Sequence, residues 1–145
     1  MGRGVEHGGR TRIVITLDAS AAAALLLRDS PRHRAAVREL STAREPVVVP
    51  LAILSDIDRA LSSVSRAGAT VALLEGIQRG ETLLDCGDLD LPRIRELMSE
   101  FLERPLDLAG AAVVACAERA GGAILSFDRD ALSVVVRDVP VTLIP

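Results

Sequence analysis

The sequence predicts an α/β protein, a three-layer α/β/α sandwich around a central, mainly parallel sheet. Three observations carry this. Short apolar runs alternate with helical patterns along the whole chain, as strands joined by helical crossovers require. The runs are continuously apolar instead of alternating, which marks strands buried on both faces. The densest stretch, residues 105–128, reads as a buried helix, a glycine stop and a buried strand in succession.

Each element has its own signal. Residues 1–11 are rich in Gly and Arg with no apolar run, and are expected to form a flexible tail before a single domain spanning residues 12–145. Residues 13–17 (IVITL) are a compact β-branched run, expected as a buried first strand ending at Asp18. An Ala/Leu-rich helix follows to about Leu27. Ser30 and Pro31 suit an N-cap and a first helical position, opening a helix to about Leu40 that carries Arg32, His33, Arg34 and Arg38. His33 has no second His or Cys at ligand spacing and is expected on the solvated surface. Residues 46–50 (PVVVP) read as a second strand.

A helix over residues 51–66 is expected next, with Ile53, Leu54, Ile57, Leu61 and Val64 as its apolar stripe. Asp56 lies beside Ala52, Ala60 and Ser63, small residues that leave room around a carboxylate. Gly68 is expected to break this helix, and residues 70–79 to form another. Residues 81–85 read as a third strand. Residues 88–102 form an amphipathic helix with Ile94, Leu97, Met98, Phe101 and Leu102 on one face. Asp107 stands at an N-cap position before an uncharged run to Ala117, and Gly121-Gly122 end that helix. Residues 123–127 then read as a buried strand closed by Asp128, and residues 139–144 as the last strand.

Composition bounds the function. A chain of 145 residues with 49 % hydrophobic content is one folded domain and not a disordered segment. There is no Lys, which excludes a P-loop lysine and a Schiff-base enzyme. Phe101 and Phe127 are the only aromatics, which argues against single-strand binding by base stacking. Net charge is −3, so no global basic field draws nucleic acid. The charge is uneven, with six Arg against three acids in residues 1–34 and eleven against seventeen thereafter. Cys86 and Cys116 form no motif, and Cys116 is expected in the core. No apolar run reaches about 20 residues, so no membrane span is expected. A cytoplasmic location is expected.

Asp18, Asp107 and Asp128 stand at strand ends or helix starts, and Asp56 on a helix face. Carboxylates brought together repel one another, and a divalent cation relieves the repulsion. Mg²⁺ and Mn²⁺ prefer such oxygen ligands. The plainer alternative is that each Asp only caps a helix, which Asp107 is well placed to do.

Three segments resemble one family in the right order. They are IVITLDASAAAALL (residues 13–26), VVVPLAILSDIDRAL (residues 47–61) and IRELMSEFLERPLDLAGAAVVACAERAGGAILSFDRDAL (residues 94–132). From about Ile13 to Pro145 the chain resembles the PIN domain, specifically the VapC-type ribonuclease toxins of bacterial toxin–antitoxin pairs. The resemblance implies a PIN-like fold and Mg²⁺ (or Mn²⁺) held by catalytic acids at Asp18, Asp56 and Asp128, with Ser20 and Ser126 supporting them. At Asp56 the family more often has Glu. The family's third acid falls on Gly110, which implies a weakened site. Asp107, one helical turn earlier, either replaces that acid at the metal or is consumed as the N-cap. The function implied is metal-dependent endoribonuclease activity on RNA. The alternative is a catalytically inactive PIN fold that binds RNA or a protein partner. The implied partners are RNA, a cognate antitoxin and a second copy in a homodimer. A flavodoxin-like small-molecule binder has only fold-level support, because no glycine-rich phosphate loop follows Asp18.

Overall fold

A computed structural model describes residues 14–43, 46–64, 67–85, 87–101, 106–133, 135–137 and 141–144. The expected tail over residues 1–11, Cys86 and Leu102 lie outside the described residues. Five strands form one sheet: β1 (Ile15–Leu17), β2 (Val47–Pro50), β3 (Leu83–Asp85), β4 (Ala123–Leu125) and β5 (Thr142–Ile144). Their order is β3-β2-β1-β4-β5. Every pairing is parallel, with Ile15 opposite both Val47 and Ala123. The strands are shorter than the apolar runs suggest. Glu81 and Thr82 precede β3 as a bend, and Ser126 and Phe127 leave the ladder after β4.

Helices join the strands: α1 (Ala19–Leu26), α2 (His33–Ala43), α3 (Leu54–Ser62), α4 (Ala67–Gln78), α5 (Leu91–Glu100), α6 (Leu108–Ala120) and α7 (Arg129–Leu132). Short 3₁₀ turns at Leu51–Ile53, Asp88–Asp90 and Val135–Arg137 complete the connections. Neither α7 nor the turn after it has a counterpart in the sequence reading. Three helix boundaries differ from expectation. Pro31 and Arg32 form a turn ahead of α2, and Ser30 accepts the Arg32 N–H there at 3.2 Å. The helix expected over residues 51–66 opens as a 3₁₀ turn and α3 ends at Ser62, so Val64 leaves the apolar stripe and is 51 % exposed. Gly68 does not break a helix; it sits in the first turn of α4, where its cost is low, and the break falls before it. Thr70 donates to Asp58 Oδ1 at 2.7 Å and fastens α4 to α3.

The core is aliphatic. Ile53, Ile57 and Leu61 of the α3 stripe are fully buried, as are Leu97 and the α6 run Ala111–Ala117. α6 packs across β1, β2 and β4, and Thr16 of β1 donates to Cys116 Sγ at 3.8 Å. Burial pushes the Cys116 thiol up to about 11, as suits an inert core residue. Two arginines set the height of α6. Arg93 holds Glu118 bidentately at 2.8 and 2.9 Å. Arg119 grips the buried Asp90 at 2.7 and 2.9 Å and also donates to Asp85 at the end of β3. Burial works to raise the Asp85 carboxyl, but Arg119 and the Gly87 N–H outweigh it and hold it below the usual carboxylate value. α6 stops where the backbone of Gly121 closes on Val14, the residue before β1: a Cβ there would lie 2.8 Å from Val14 N. Gly122 follows at φ +83°, a conformation that favours glycine.

Among the described residues no helix is long and apolar enough to cross a membrane.

Candidate active site

The strand order reverses direction between β1 and β4. The chain runs outward to β2 and β3 on one side, then to β4 and β5 on the other. Crevices form at the carboxyl ends of the two strands flanking such a switch point. Asp18 follows β1 and Asp128 follows β4, so both stand at this crevice. The starts of α6 and α3 close it. A cleft of about 280 Å³ results, lined by Asp18, Ala19, Ser20, Ile53, Asp56, Asp107, Ala109, Gly110, Val113, Asp128 and Leu132. All four acids expected from the sequence therefore face one cleft, and no basic side chain is among its described lining residues. A larger groove of about 440 Å³ between α5 and the start of α6 is mainly apolar, lined by Leu91, Ile94, Met98, Phe101, Leu106 and Leu108 beside Arg95 and Ser99. It brings no carboxylates together, so the smaller cleft is the candidate for chemistry.

Asp18 is the most firmly held acid. It caps α1, accepting from the Ala21 N–H at 3.0 Å and the Ser20 hydroxyl at 2.7 Å through one oxygen. Its other oxygen accepts from the Ser126 hydroxyl. Each serine also accepts from the loop after β4: Ser20 takes the Phe127 N–H at 2.8 Å and Ser126 the Asp128 N–H at 2.9 Å. Two hydroxyls thus tie the Asp18 carboxylate to the backbone that presents Asp128. Ser126 is fully buried, so its single hydrogen is committed to Asp18.

The other acids are held differently. Asp107 caps α6, and its Oδ1 accepts the Gly110 N–H at 2.8 Å. Asp56 is half-buried and paired with Arg59 at 3.0 Å. Asp128 is exposed at the cleft mouth. Among the described residues no three His, Cys, Asp or Glu side chains converge as a ready ligand set. The donor chemistry nonetheless suits a hard cation: four carboxylates line one cleft, and Mg²⁺ needs only one or two of them directly because it keeps much of its water.

Gly110 lines this cleft. A Cβ there would lie 2.8 Å from Leu106 Cδ1 and 3.2 Å from Asp107 Oδ1. The space beside Gly110 is therefore shared by the end of the Leu106 side chain and the Asp107 carboxylate. The acids are legible in the sequence; this contact, and Val113 and Leu132 as cleft walls, are not. His33, expected on the solvated surface, is instead half-buried, and its Nδ1–H donates to the Ala24 carbonyl at 2.9 Å. A carbonyl only accepts, so the donor must be the histidine.

Fold and site together define an α/β protein with a carboxylate-lined cleft at the carboxyl edge of its parallel sheet. The PIN domain family model matches residues 15–137, and the chain belongs to that family. Among solved structures, the chain is similar to VapC20 of Mycobacterium tuberculosis, a sarcin-ricin loop cleaving toxin. The TM-score is 0.67 at 21 % identity, covering 83 % of this chain and 94 % of that one. It is also similar to VapBC2 of Rickettsia felis, solved bound to a DNA fragment from its promoter. There the TM-score is 0.61 at 9 % identity, covering 92 % of this chain and 100 % of that one. At these identities the likeness is one of fold. A search of curated protein sequences finds no match.

Proposed function

We propose that this protein is a metal-dependent endoribonuclease of the VapC toxin type, with activity weakened at Gly110. The observation that carries the reading is the cleft itself: Asp18, Asp56, Asp107 and Asp128 line one crevice at the switch point. Mg²⁺ or Mn²⁺, when bound, would activate water and stabilise negative charge on the scissile phosphate. Asp18 and Asp128 would hold the ion, with Asp56 and Asp107 contributing directly or through water. Ser20 and Ser126 position Asp18, since each donates to one of its oxygens. Asp107 would stand in for the missing family acid only through its other oxygen or through water, since Oδ1 caps α6 by accepting the Gly110 N–H beside the space a side chain at position 110 would enter. RNA as substrate is supported by membership of the PIN family and by the toxin whose fold is shared. A cognate antitoxin, a homodimer and a cytoplasmic location follow from the same kinship.

A second reading, an inactive PIN fold that binds RNA or a protein partner, is favoured by Gly110 and by the lack of three converging ligands among the described residues. RNA cleavage with Mn²⁺, by the unaltered chain, Asp18→Asn and Gly110→Asp, separates the two. Cleavage that Asp18→Asn abolishes establishes the enzyme. No cleavage from the chain or from Gly110→Asp, with the variant folded, overturns it. Gly110→Asp should fold, because the nearest atom in its way is the flexible end of Leu106, and the Asp107 carboxylate at 3.2 Å needs only a small shift.

A further inference from the structure

We infer that the turn leading into α2 is the RNA-backbone contact of this protein, with Arg32 as its phosphate-binding residue. The inference rests on the ribonuclease reading of the cleft and extends it to how substrate is held. Arg32 lies over the Phe127 ring, 5.5 Å from its centroid. Phe127 joins Ser126 to Asp128, and its N–H is bonded to Ser20, so the stacked guanidinium stands one residue from the acidic cleft. A guanidinium held over an aromatic face by its charge keeps N–H donors available to an oxyanion such as a phosphate. The same stacking covers one face of the aromatic ring nearest the cleft, which favours a backbone contact over base stacking there. His33, bonded to the Ala24 carbonyl, anchors the residue next to Arg32 against α1.

Charge supports the assignment. Arg59, Arg79, Arg93 and Arg119 each hold a carboxylate. Among the described residues no carboxylate pairs with Arg28, Arg32, Arg34 or Arg38, all exposed along the turn and α2. Arg34 and Arg38 are one helical turn apart on one face. An acidic cleft repels a polyanion, so a substrate phosphate chain needs a cationic foothold beside it. This turn, which also carries Asp29, offers one beside Phe127, the residue before Asp128.

The test is binding of a fluorescein-labelled 20-nucleotide RNA hairpin, followed by anisotropy in EDTA over a salt series. Arg32→Gln should weaken binding about fivefold or more and lower the slope of log K against log salt by about 0.7–0.9, the value of one lost phosphate contact. Arg95→Gln, an exposed arginine on α5 that also lacks a described partner, should bind like the unaltered protein. Absence of binding, unchanged affinity and slope in Arg32→Gln, or an equal loss in Arg95→Gln would each overturn the inference. Arg32-dependent binding without any Mn²⁺-dependent cleavage keeps this surface and removes the ribonuclease reading. Cleavage with a KM unaffected by Arg32→Gln does the reverse.

Discussion

Replacing Ser126 by Ala probes the link on which the candidate site depends. The hydroxyl is fully buried, donates to Asp18 and accepts the Asp128 N–H at 2.9 Å. A hydrogen bond to a charged group contributes about 1.5–3 kcal/mol, and a neutral one about 1 kcal/mol. Asp18 keeps its bonds to Ser20 and the Ala21 N–H and borders an open cleft, so water relieves part of the loss. The expected net destabilisation is about 2 kcal/mol. For a domain of this size that lowers Tm by about 4–8 °C. Urea unfolding and calorimetry in EDTA would measure it without interference from bound metal. The sharper test is a double-mutant cycle with Asp18→Asn. Removing the charge makes the Ser126 bond ordinary, so Ser126→Ala should cost about 1 kcal/mol less in the Asp18→Asn background. A cost below about 0.5 kcal/mol in the unaltered chain, or an equal cost in both backgrounds, refutes the reasoning.

Further outcomes follow from the same geometry. Mn²⁺ at about ten times its Kd should raise Tm by about 3–5 °C, and Asp18→Asn should remove the shift in a thermal melt. Arg119→Gln leaves the buried Asp90 unpaired and should cost about 2–4 kcal/mol in urea unfolding. Because the Asp85 carboxyl is held below its usual value, its contribution to stability is present above about pH 4 and is lost as pH falls through the folded value. Arg119→Gln should therefore also flatten the acid limb of a stability–pH curve. Cys116, buried and pushed up to about 11, should react with iodoacetamide at pH 8 more than about 100-fold slower in the native protein than in urea, measured in a Cys86→Ser background. Gly121→Ala should destabilise by about 1–3 kcal/mol, since its Cβ would meet the Val14 backbone nitrogen at 2.8 Å.

Local signals made much of this protein legible from its residues. All five strands were legible: the continuously apolar runs of β1, β2 and β4 match their burial on both faces, while β3 and β5, at the two edges of the sheet, are partly exposed. Asp18 and Asp107 could be read as caps, because a cap bonds only to backbone two or three residues away. Boundaries were less legible: 3₁₀ turns open the segments after β2 and β3, and Gly68 lies inside a helix instead of ending one.

What lies outside local reach was settled by strand order. Nothing near Asp18 in the chain announces that β4 pairs with β1, yet that pairing brings Ser126 across 108 residues to its carboxylate. The stacking of Arg32 on Phe127, the grip of Arg119 on Asp85 and Asp90, and the filling of the Gly110 space by Leu106 and Asp107 belong to the same class. Periodicity and capping act within one or two turns of chain, so the sequence by itself determined the elements and the kinds of acid they carry. Which acids share a cleft depends on contacts between distant segments, and only the packed sheet and helices decided that.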